Sequence, residues 1–208
     1  MTKGLGVAIL TLFVCAAPAS VLAQQPQYGF KLGPTFSSLN ADPGDEEGYE
    51  TRLGAVFGGF VIVHANPTLA LQLEGLVHGK GGEITASEGT TISAKLNYFE
   101  VPVLARFTPS RSATRAFYVF GGPAAAFRLS ARQELSSTGG GFSSGVSDDI
   151  SDLIERFEFS LVAGAGVDFA EHFLVDARYS WGLTAVNKDT SEGTLKNRAF
   201  TVLAGYRF

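Results

Sequence analysis

Apolar and polar residues alternate with a period of two along most of the chain beyond residue 27, which is typical of β-strands that present one apolar face. The alternation is clearest in five segments, Tyr28–Leu39, Tyr98–Phe107, Phe157–Phe169, Phe173–Trp181 and Phe200–Phe208. Three further segments are strand-like, although the first and third have a less clear facing: Arg52–His64, Leu69–Gly79 and Ala116–Leu129. The pattern therefore predicts eight strands, each near the roughly 9–11 residues that cross a bilayer at a tilt.

The connections between the predicted strands alternate in length. The long connections are residues 40–51, 80–91, 130–156 and 182–196, and the short ones are residues 65–68, 108–115 and 170–172. This order is typical of membrane barrels made of up-and-down hairpins, whose short turns lie on the periplasmic side. A soluble lipocalin-like barrel also has eight strands, but its apolar residues point inward and its outer face is polar. We therefore predict an all-β fold, an eight-stranded antiparallel up-and-down transmembrane β-barrel.

The polar face of the predicted strands collects nine ionisable residues with nearly balanced charge. They are Lys31, Glu74, Glu100, Arg106, Glu158, Asp168, Asp176, Arg178 and Arg207. Each would cost about 2–4 kcal/mol in hydrocarbon at the bilayer midplane, so we expect this face to point inward and the apolar face to contact lipid. Side chains just fill the interior of an eight-stranded barrel, where carboxylates and basic groups can pair. We predict an ionic network in a filled lumen, with a narrow pore as the alternative.

The N-terminal 23 residues have the features of a signal peptide. Lys3 supplies positive charge, Leu5–Ala17 is an apolar core, and Val21–Ala23 presents small residues to a signal peptidase. We expect cleavage after Ala23, which leaves residues 24–208 as one barrel domain in the bacterial outer membrane. Cys15 is the single cysteine and lies in the signal peptide, so the mature chain is expected to contain no disulfide.

Composition excludes several classes of protein. Only 17 % of the 208 residues are charged and 25 are glycine, which argues against an ordinary helical domain and against disorder. A formal net charge of −4 gives no indication of nucleic-acid binding.

The acidic segment Asp42–Glu47 lacks the ligand spacing of a calcium loop, so we interpret it as a solvated loop. An acidic rim would repel anionic lipopolysaccharide unless divalent cations bridge the two.

One segment of the third long connection has helical rather than strand spacing. Ile150, Leu153, Ile154 and Phe157 follow the i, i+3, i+4, i+7 pattern after Ser147–Asp149. This pattern predicts a short helix capped by Ser or Asp. The helix either packs against the barrel mouth or binds a partner or plugs the barrel, and both interpretations stay open.

The sequence offers little for catalysis. His64, His78 and His172 lie at the ends of predicted strands and do not converge. No Gly-x-Ser-x-Gly nucleophile elbow occurs, and no histidine stands at the spacing of a metal site. We therefore predict no enzyme and no catalytic, cofactor or metal site, and a lipid-modifying enzyme of the envelope is the least favoured alternative.

Four segments resemble, in the same order, the bacterial outer-membrane β-barrel proteins known as the porin family. They are Gly29–Gly33 with Phe36–Leu39, Lys95–Pro102, Asp176–Leu183, and Lys196–Arg198 leading to Gly205–Phe208. The resemblance covers nearly all of the mature chain and implies an eight-stranded barrel related to the small OmpX- and OmpW-like proteins. It implies no single activity, and the name of the family is not evidence of a channel.

The resemblance also implies how the chain is assembled and what it contacts. Tyr206 and Phe208 are expected to be part of the C-terminal aromatic signal that the outer-membrane assembly machinery reads. We expect a monomer that contacts outer-membrane lipid and lipopolysaccharide and binds no nucleic acid. The expected role is structural or in surface interaction at the cell envelope, with a narrow pore for small solutes as the alternative.

Overall fold

The computed structural model describes residues 25–42, 50–86, 90–111, 115–139, 142–149, 154–169, 171–187 and 194–208. Its strands are β1 (Gln27–Asp42), β2 (Arg52–His64), β3 (Leu69–Ala86), β4 (Thr90–Arg111), β5 (Arg115–Gly139), β6 (Phe142–Asp149), β7 (Phe157–Phe169), β8 (Phe173–Gly182) and β9 (Thr194–Arg207). Within this part of the chain, no helix is long and apolar enough to cross a membrane. The predicted signal peptide and its cleavage site lie outside the described residues, so both stay predictions.

Eight of these strands close into a barrel in which every pairing is antiparallel. The order around the barrel is β1, β2, β3, β4, β5, β7, β8 and β9, and β9 pairs again with β1. Closure satisfies the backbone groups of all eight strands, and an open strand edge in hydrocarbon would cost several kcal/mol for each unpaired group. The predicted eight-stranded antiparallel barrel is therefore confirmed.

The strands are strongly tilted, because the register advances by about ten residues over one circuit of the barrel. This tilt brings the backbone of one strand close to the inward-facing residues of the neighbouring strand. At Gly33 a Cβ atom would overlap the carbonyl oxygen of Val202 on β9, so only glycine fits this close approach. Glycine on the polar face of β1 thus permits the strong curvature that a narrow barrel requires.

Large apolar side chains at alternate positions cover the outer wall, which we call the apolar belt. On β4 the Val103 side chain is 37 % exposed, whereas Leu104 beside it is 0 % exposed. The belt reaches Phe107 at the end of the barrel that carries the short turns, here the short-turn end. It reaches Phe99 and Trp181 toward the opposite, long-loop end. Exposure therefore alternates along β4 as the sequence pattern predicts.

Several strands extend beyond their predicted bounds toward the long-loop end. The segment 80–91, predicted to be a loop, is mostly a hairpin in which Lys80 pairs with Leu96 and Ala86 with Thr90. The loop prediction is wrong there because the alternation of apolar and polar residues becomes irregular beyond the apolar belt, while the backbone pairing continues. Alternation of hydrophobicity reports a strand only where one face is apolar, whereas backbone pairing continues wherever a partner strand is available.

The helix predicted after residue 147 is wrong for the described residues. Ser147 and Asp149 lie in β6, where they pair with Glu134 and Arg132 of β5, and Phe157 begins β7. Residues 150–153 lie outside the described part of the chain. β5 continues past the barrel and offers unpaired backbone groups along one edge, and β6 satisfies them. Strand pairing thus overrides the helical spacing at Ile154, which bridges to Asn187, and at Phe157, which pairs with Phe127.

Candidate functional site

Strand β3 carries four polar side chains into the barrel interior. Gln72 and Glu74 lie toward the short-turn end, His78 and Lys80 lie toward the long-loop end, and all four are buried. Successive side chains of a strand point to opposite faces, so these even-numbered positions share the inward face. The ionic groups gather near them in three clusters, which we call the inner, middle and outer clusters in order from the short-turn end.

The middle cluster consists of Lys31, Glu74, Asp176 and Arg178. Lys31 Nζ lies 2.9 Å from Glu74 Oε1 and 2.7 Å from Asp176 Oδ2. The guanidinium of Arg178 donates to the same two carboxylates, at 2.5 Å to Glu74 Oε2 and 2.8 Å to Asp176 Oδ1. Two cations and two carboxylates cancel each other in formal charge. Such mutual pairing is what permits charges to stay buried, because an unpaired buried ion is strongly destabilising.

The inner cluster consists of Arg106, Asp168 and Arg207. Arg106 Nη2 lies 2.5 Å and Arg207 Nη1 lies 3.4 Å from the same oxygen, Asp168 Oδ2. Gln72 connects this cluster to the middle one, since its Oε1 accepts from Arg106 at 3.3 Å and its Nε2 donates to Glu74 at 2.6 Å. The inner and middle clusters therefore form one continuous hydrogen-bonded network.

The outer cluster consists of Lys80, Glu100, Glu158 and His78. Lys80 Nζ lies 2.6 Å from Glu100 Oε2 and 3.1 Å from Glu158 Oε1. The second Glu158 oxygen accepts a hydrogen bond from Asn197 Nδ2 at 2.6 Å. One lysine thus pairs with carboxylates from β4 and β7 and connects these two strands across the lumen, below the long-loop end.

His78 belongs to this cluster through both ring nitrogens. Its Nδ1 lies 3.4 Å from Glu100 Oε2, and its Nε2 lies 3.0 Å from the Thr35 hydroxyl, which is itself 2.9 Å from the Thr201 hydroxyl. The interpretation of His78 as a histidine at a strand end is therefore wrong. β3 continues to Ala86, so His78 lies well inside the barrel.

Each of four buried basic side chains lies over an aromatic ring of the interior. Lys31 lies 5.1 Å from the ring centroid of Phe60, Lys80 5.5 Å from Tyr98, Arg106 3.5 Å from Tyr118, and Arg178 5.0 Å from Phe120. Cation–π attraction of this kind contributes about 2 kcal/mol or more where the groups are desolvated. The cations are thus held by carboxylates and by rings, and little interior space is left.

Three of these rings lie opposite a glycine of the neighbouring strand. The pairs are Phe60 with Gly29, Phe120 with Gly164, and Tyr118 with Gly166. In each pair the ring occupies the space that a glycine Cβ would need. Covering a glycine with a cross-strand aromatic ring is a device that stabilises curved sheets. Glycine, ring and cation therefore fill the lumen together.

A buried apolar layer begins at the level of the outer cluster and continues toward the long-loop end. It is formed by buried residues of β1, β4, β5 and the segment after β8, namely Leu39, Leu96, Tyr98, Ala126, Ala131 and Val186. Val186 is held by backbone hydrogen bonds, since its N–H donates to the Leu195 carbonyl at 2.7 Å and its carbonyl accepts from the Glu155 N–H at 2.7 Å. We call this layer the apolar cap.

The structure places all nine predicted interior residues in these clusters. Eight are buried, and Arg207 is partly exposed at the short-turn end. Lys80, which the sequence pattern placed in a loop, was not predicted as an interior residue, and neither were Gln72 and the four interior rings. The signal for Lys80 was its place on the same alternation as Glu74 and His78. With Lys80 included, the three clusters contain five basic and five acidic side chains.

The other two histidines lie at the short-turn end. His64 is buried near the end of β2, and His172 is exposed, with its Nδ1 2.9 Å from the Arg207 carbonyl oxygen. Among the described residues, no group of three or more His, Cys, Asp or Glu side chains is arranged to hold a metal ion.

The chain ends in a patch of aromatic side chains at the short-turn end. The Phe208 ring lies 5.8 Å from that of Tyr28, and the Tyr206 ring lies 6.1 Å from that of Phe30. The Phe208 N–H donates to the Tyr28 carbonyl at 3.0 Å, so pairing of the barrel seam continues to the last residue. The part of Tyr206 and Phe208 in an assembly signal stays a prediction.

A comparison of the sequence with protein families agrees with this closed barrel, which has an ionic interior and an apolar outer wall. The family described as outer membrane protein beta-barrel domain matches residues 22–187. The chain belongs to this family. Members of the family are outer-membrane proteins, and the predicted relationship is confirmed at that level.

Solved structures of outer-membrane proteins are similar to this family member in fold. Ail of Yersinia pestis is 19 % identical, with 89 % of this chain and 100 % of that chain covered and a TM-score of 0.46. Neisserial surface protein A is 13 % identical, with 88 % and 98 % covered and a TM-score of 0.48. OprG of Pseudomonas aeruginosa is 12 % identical, with 89 % and 97 % covered and a TM-score of 0.48. No curated protein matches the chain.

Proposed function

We propose that this protein is a closed structural barrel of the outer membrane whose long-loop end serves surface interaction. The observation that supports it most directly is the filled lumen. Three ionic clusters occupy successive levels of the interior, and the apolar cap adjoins the outer cluster. A barrel packed in this way holds its strands together and displays loops, and it offers no solute path wider than a few water molecules.

We further propose that the protein acts as a monomer in contact with lipopolysaccharide and other outer-membrane lipid. Closure of eight strands needs no second chain, and the outer wall is apolar around the barrel. The aromatic patch that ends in Tyr206 and Phe208 is the segment we assign to recognition by the outer-membrane assembly machinery. The proposed role therefore combines lipid on the wall, assembly factors at the short-turn end and the envelope surface at the long-loop end.

Single-channel conductance in planar bilayers tests the closed lumen. The full-length mature protein is reconstituted from detergent, and its folding is checked by heat-dependent mobility in gel electrophoresis. We expect no stable conductance step at voltages where a large general porin, added as a positive control, conducts. A reproducible open channel that admits sugars contradicts the proposal.

The alternative function is a narrow pore for small solutes, and one observation favours it. The interior is mostly polar along β3, where Gln72 and Glu74 lie on one side of the buried Leu76 and His78 and Lys80 lie on the other. A small, cation- or anion-selective conductance without sugar passage in the same experiment supports this alternative. The Lys80→Ala variant then distinguishes the narrow pore from the closed barrel, because removing the lysine side chain increases conductance only if ions pass the outer cluster.

A further inference from the structure

One carboxylate of the outer cluster connects a lysine amine with an asparagine carboxamide. Glu158 Oε1 lies 3.1 Å from Lys80 Nζ, and Glu158 Oε2 accepts a hydrogen bond from Asn197 Nδ2 at 2.6 Å. The three residues, which we call the amide triad, come from β7, β3 and β9, and each is at most 2 % exposed. Two groups that can condense to an amide are therefore held by the same proton acceptor.

Each residue of the amide triad stands opposite a residue of the apolar cap. The pairs are Lys80 with Leu96, Glu158 with Ala126, and Asn197 with Leu39. The triad thus lies beside a layer that excludes water and in which charged groups are costly. A proton shift from the lysine to the glutamate leaves a neutral amine beside a neutral acid, and such neutralisation is less costly here than in water. The neutral amine is the form of lysine that attacks a carbonyl carbon.

The carboxamide oxygen of Asn197 has a hydrogen-bond donor beside it. Asn197 Oδ1 and the Tyr98 hydroxyl are buried, and neither has a hydrogen-bond partner among the described residues. The Tyr98 side chain lies next to the Asn197 side chain, and its ring centroid lies 5.5 Å from Lys80 Nζ. Negative charge develops on the carbonyl oxygen when an amine attacks a carboxamide, and a hydroxyl directed at this oxygen stabilises the charge. Tyr98 can therefore supply the donor that the reaction needs.

The middle cluster contains similar groups but differs in the state of its carboxylate. Glu74 Oε1 lies 2.9 Å from Lys31 Nζ and accepts from Gln72 Nε2 at 2.6 Å. Arg178 donates two further hydrogen bonds to Glu74, and these stabilise the ionised carboxylate. In the described part of the chain, no arginine donates a hydrogen bond to Glu158. Proton transfer from lysine to carboxylate is therefore favoured in the outer cluster and opposed in the middle one.

We propose that Lys80 and Asn197 form an intramolecular amide bond, with Glu158 as the proton carrier. Glu158 takes a proton from the Lys80 ammonium, and the neutral amine attacks Asn197 Cγ to form the new bond between Nζ and Cγ. Glu158 then passes its proton to Nδ2, the bond between Cγ and Nδ2 breaks, and ammonia leaves. The remaining extra proton on Nζ leaves with it, so ammonium is the second product. The reaction needs no oxidant and no further reactant.

The bond would connect β3 with β9, which are separated by β2 and β1 in the barrel. A covalent link between distant parts of a chain restricts the unfolded state and so stabilises the folded one, as a disulfide does. The mature chain is expected to contain no disulfide, and this bond would provide a cross-link by another chemistry. The inference goes beyond the proposed function, because the bond forms whether or not the barrel conducts.

Peptide mapping of the mature protein from outer membranes tests the bond. In an unlinked chain, a protease that cuts after lysine and arginine cuts after Lys80 and releases Asn197 with Arg198 as a free dipeptide. In a linked chain Lys80 is no longer a cleavage site, so residues 53–95 stay together and carry the dipeptide as a branch. The intact mass also falls by the mass of one ammonia. A cyclised N-terminal glutamine gives the same loss, however, so the branched peptide is the deciding readout.

We expect most chains to yield the branched peptide, both from outer membranes and after refolding from urea into detergent. Lys80→Arg and Asn197→Ala should abolish it, whereas Asn97→Ala, which replaces an exposed asparagine of β4, should keep it. During refolding, Glu158→Gln should slow formation of the bond about a hundredfold, as is typical when general acid–base catalysis is lost. Heat-dependent gel mobility confirms that each variant is folded.

Complete cleavage after Lys80 in the unaltered protein, with the dipeptide of Asn197 and Arg198 recovered free, overturns the proposal. An equal rate of bond formation in Glu158→Gln also overturns it, since the carboxylate is then not the proton carrier. A rate that rises with protein concentration indicates a bond between chains and likewise counts against it. If the variants do not fold, the peptide map of the unaltered protein still decides, because it needs no substitution.

Discussion

The guanidinium of Arg106 lies 3.5 Å from the ring centroid of Tyr118, and that ring lies over Gly166 of the neighbouring strand. The same order of cation, ring and glycine recurs with Arg178, Phe120 and Gly164. Because glycine has no Cβ, the ring fits against it, and the cation lies over the other side of the ring, next to its carboxylates. Glycine on the polar face is thus part of the ionic interior.

The replacement of Gly166 by alanine tests this arrangement. The added Cβ would overlap the Tyr118 ring, which lies against Arg106, and would also come within 2.6 Å of the Val175 carbonyl oxygen. We expect Gly166→Ala to lower the free energy of unfolding by about 1–3 kcal/mol, the usual cost of overpacking a filled interior. Urea unfolding in detergent micelles, followed by tryptophan fluorescence, measures it.

Gly75→Ala is the matched control. Its Cβ would meet only the edge of the Phe99 ring, at 3.4 Å. The Phe99 side chain is 43 % exposed on the outer wall and has room to shift. Gly75→Ala should therefore cost much less than Gly166→Ala, and equal losses would show that the Tyr118 ring does not depend on the glycine.

Removal of one partner from the middle cluster should be strongly destabilising. Glu74→Gln leaves Lys31 and Arg178 with Asp176 as their single carboxylate in the cluster. Breaking a buried ion pair from one side typically costs about 3–5 kcal/mol, because the remaining charge loses its compensation. Equilibrium unfolding in urea measures the loss, and the exposed Glu155→Gln serves as control. A loss no larger than that of the control would mean that water compensates the two cations.

The apolar belt predicts that the cost of an outward-facing charge on β4 depends on its depth in the membrane. Val103 and Asn97 both face outward on β4, but Asn97 lies beyond Phe99 at the edge of the belt. Val103→Arg should lower the stability by about 2–4 kcal/mol, whereas Asn97→Arg should cost about 0–1 kcal/mol. Folding yields and unfolding in phosphatidylcholine vesicles compare the two. Equal costs would place the edge of the hydrocarbon elsewhere on β4.

The parts of the fold that could be predicted from sequence are those where burial in lipid imposes a pattern. Phe99 and Val103 must contact hydrocarbon while Glu100 must not, so alternation along β4 carries the facing of the strand. Charge on the inward face follows from the same constraint. For this reason Lys31, Glu74, Asp176 and Arg178 could be assigned to one interior before their contacts were known.

The missed features lie where that constraint is absent. Lys80 and His78 lie toward the long-loop end, where the alternation of apolar and polar residues becomes irregular. β6 depends on a free edge of β5, which is a tertiary property that local spacing does not report. The pairing of Tyr118 with Gly166 depends on register between strands far apart in sequence, which one sequence does not contain.

The last residue allows packing to be separated from recognition by the assembly machinery. Phe208 is 66 % exposed, its ring lies near those of Tyr28 and Phe30, and its N–H closes the seam with β1. Deletion of Phe208 removes one exposed ring, with its contacts to Tyr28, Phe30 and Tyr206, and one backbone hydrogen bond at the short-turn end. Packing alone therefore predicts a small loss of stability, on the order of 1 kcal/mol.

We expect deletion of Phe208 to reduce assembled protein in cells much more than it reduces refolding into detergent. The reason is that recognition by the assembly machinery acts only in cells, whereas lost packing lowers both yields. Phe30→Leu is the control, since Phe30 belongs to the same aromatic patch without being terminal. Heat-dependent gel mobility of outer-membrane fractions and of refolded samples gives the two yields. If deletion lowers both yields equally, Phe208 acts through packing only, and if neither changes, the terminal strand does not depend on its last residue.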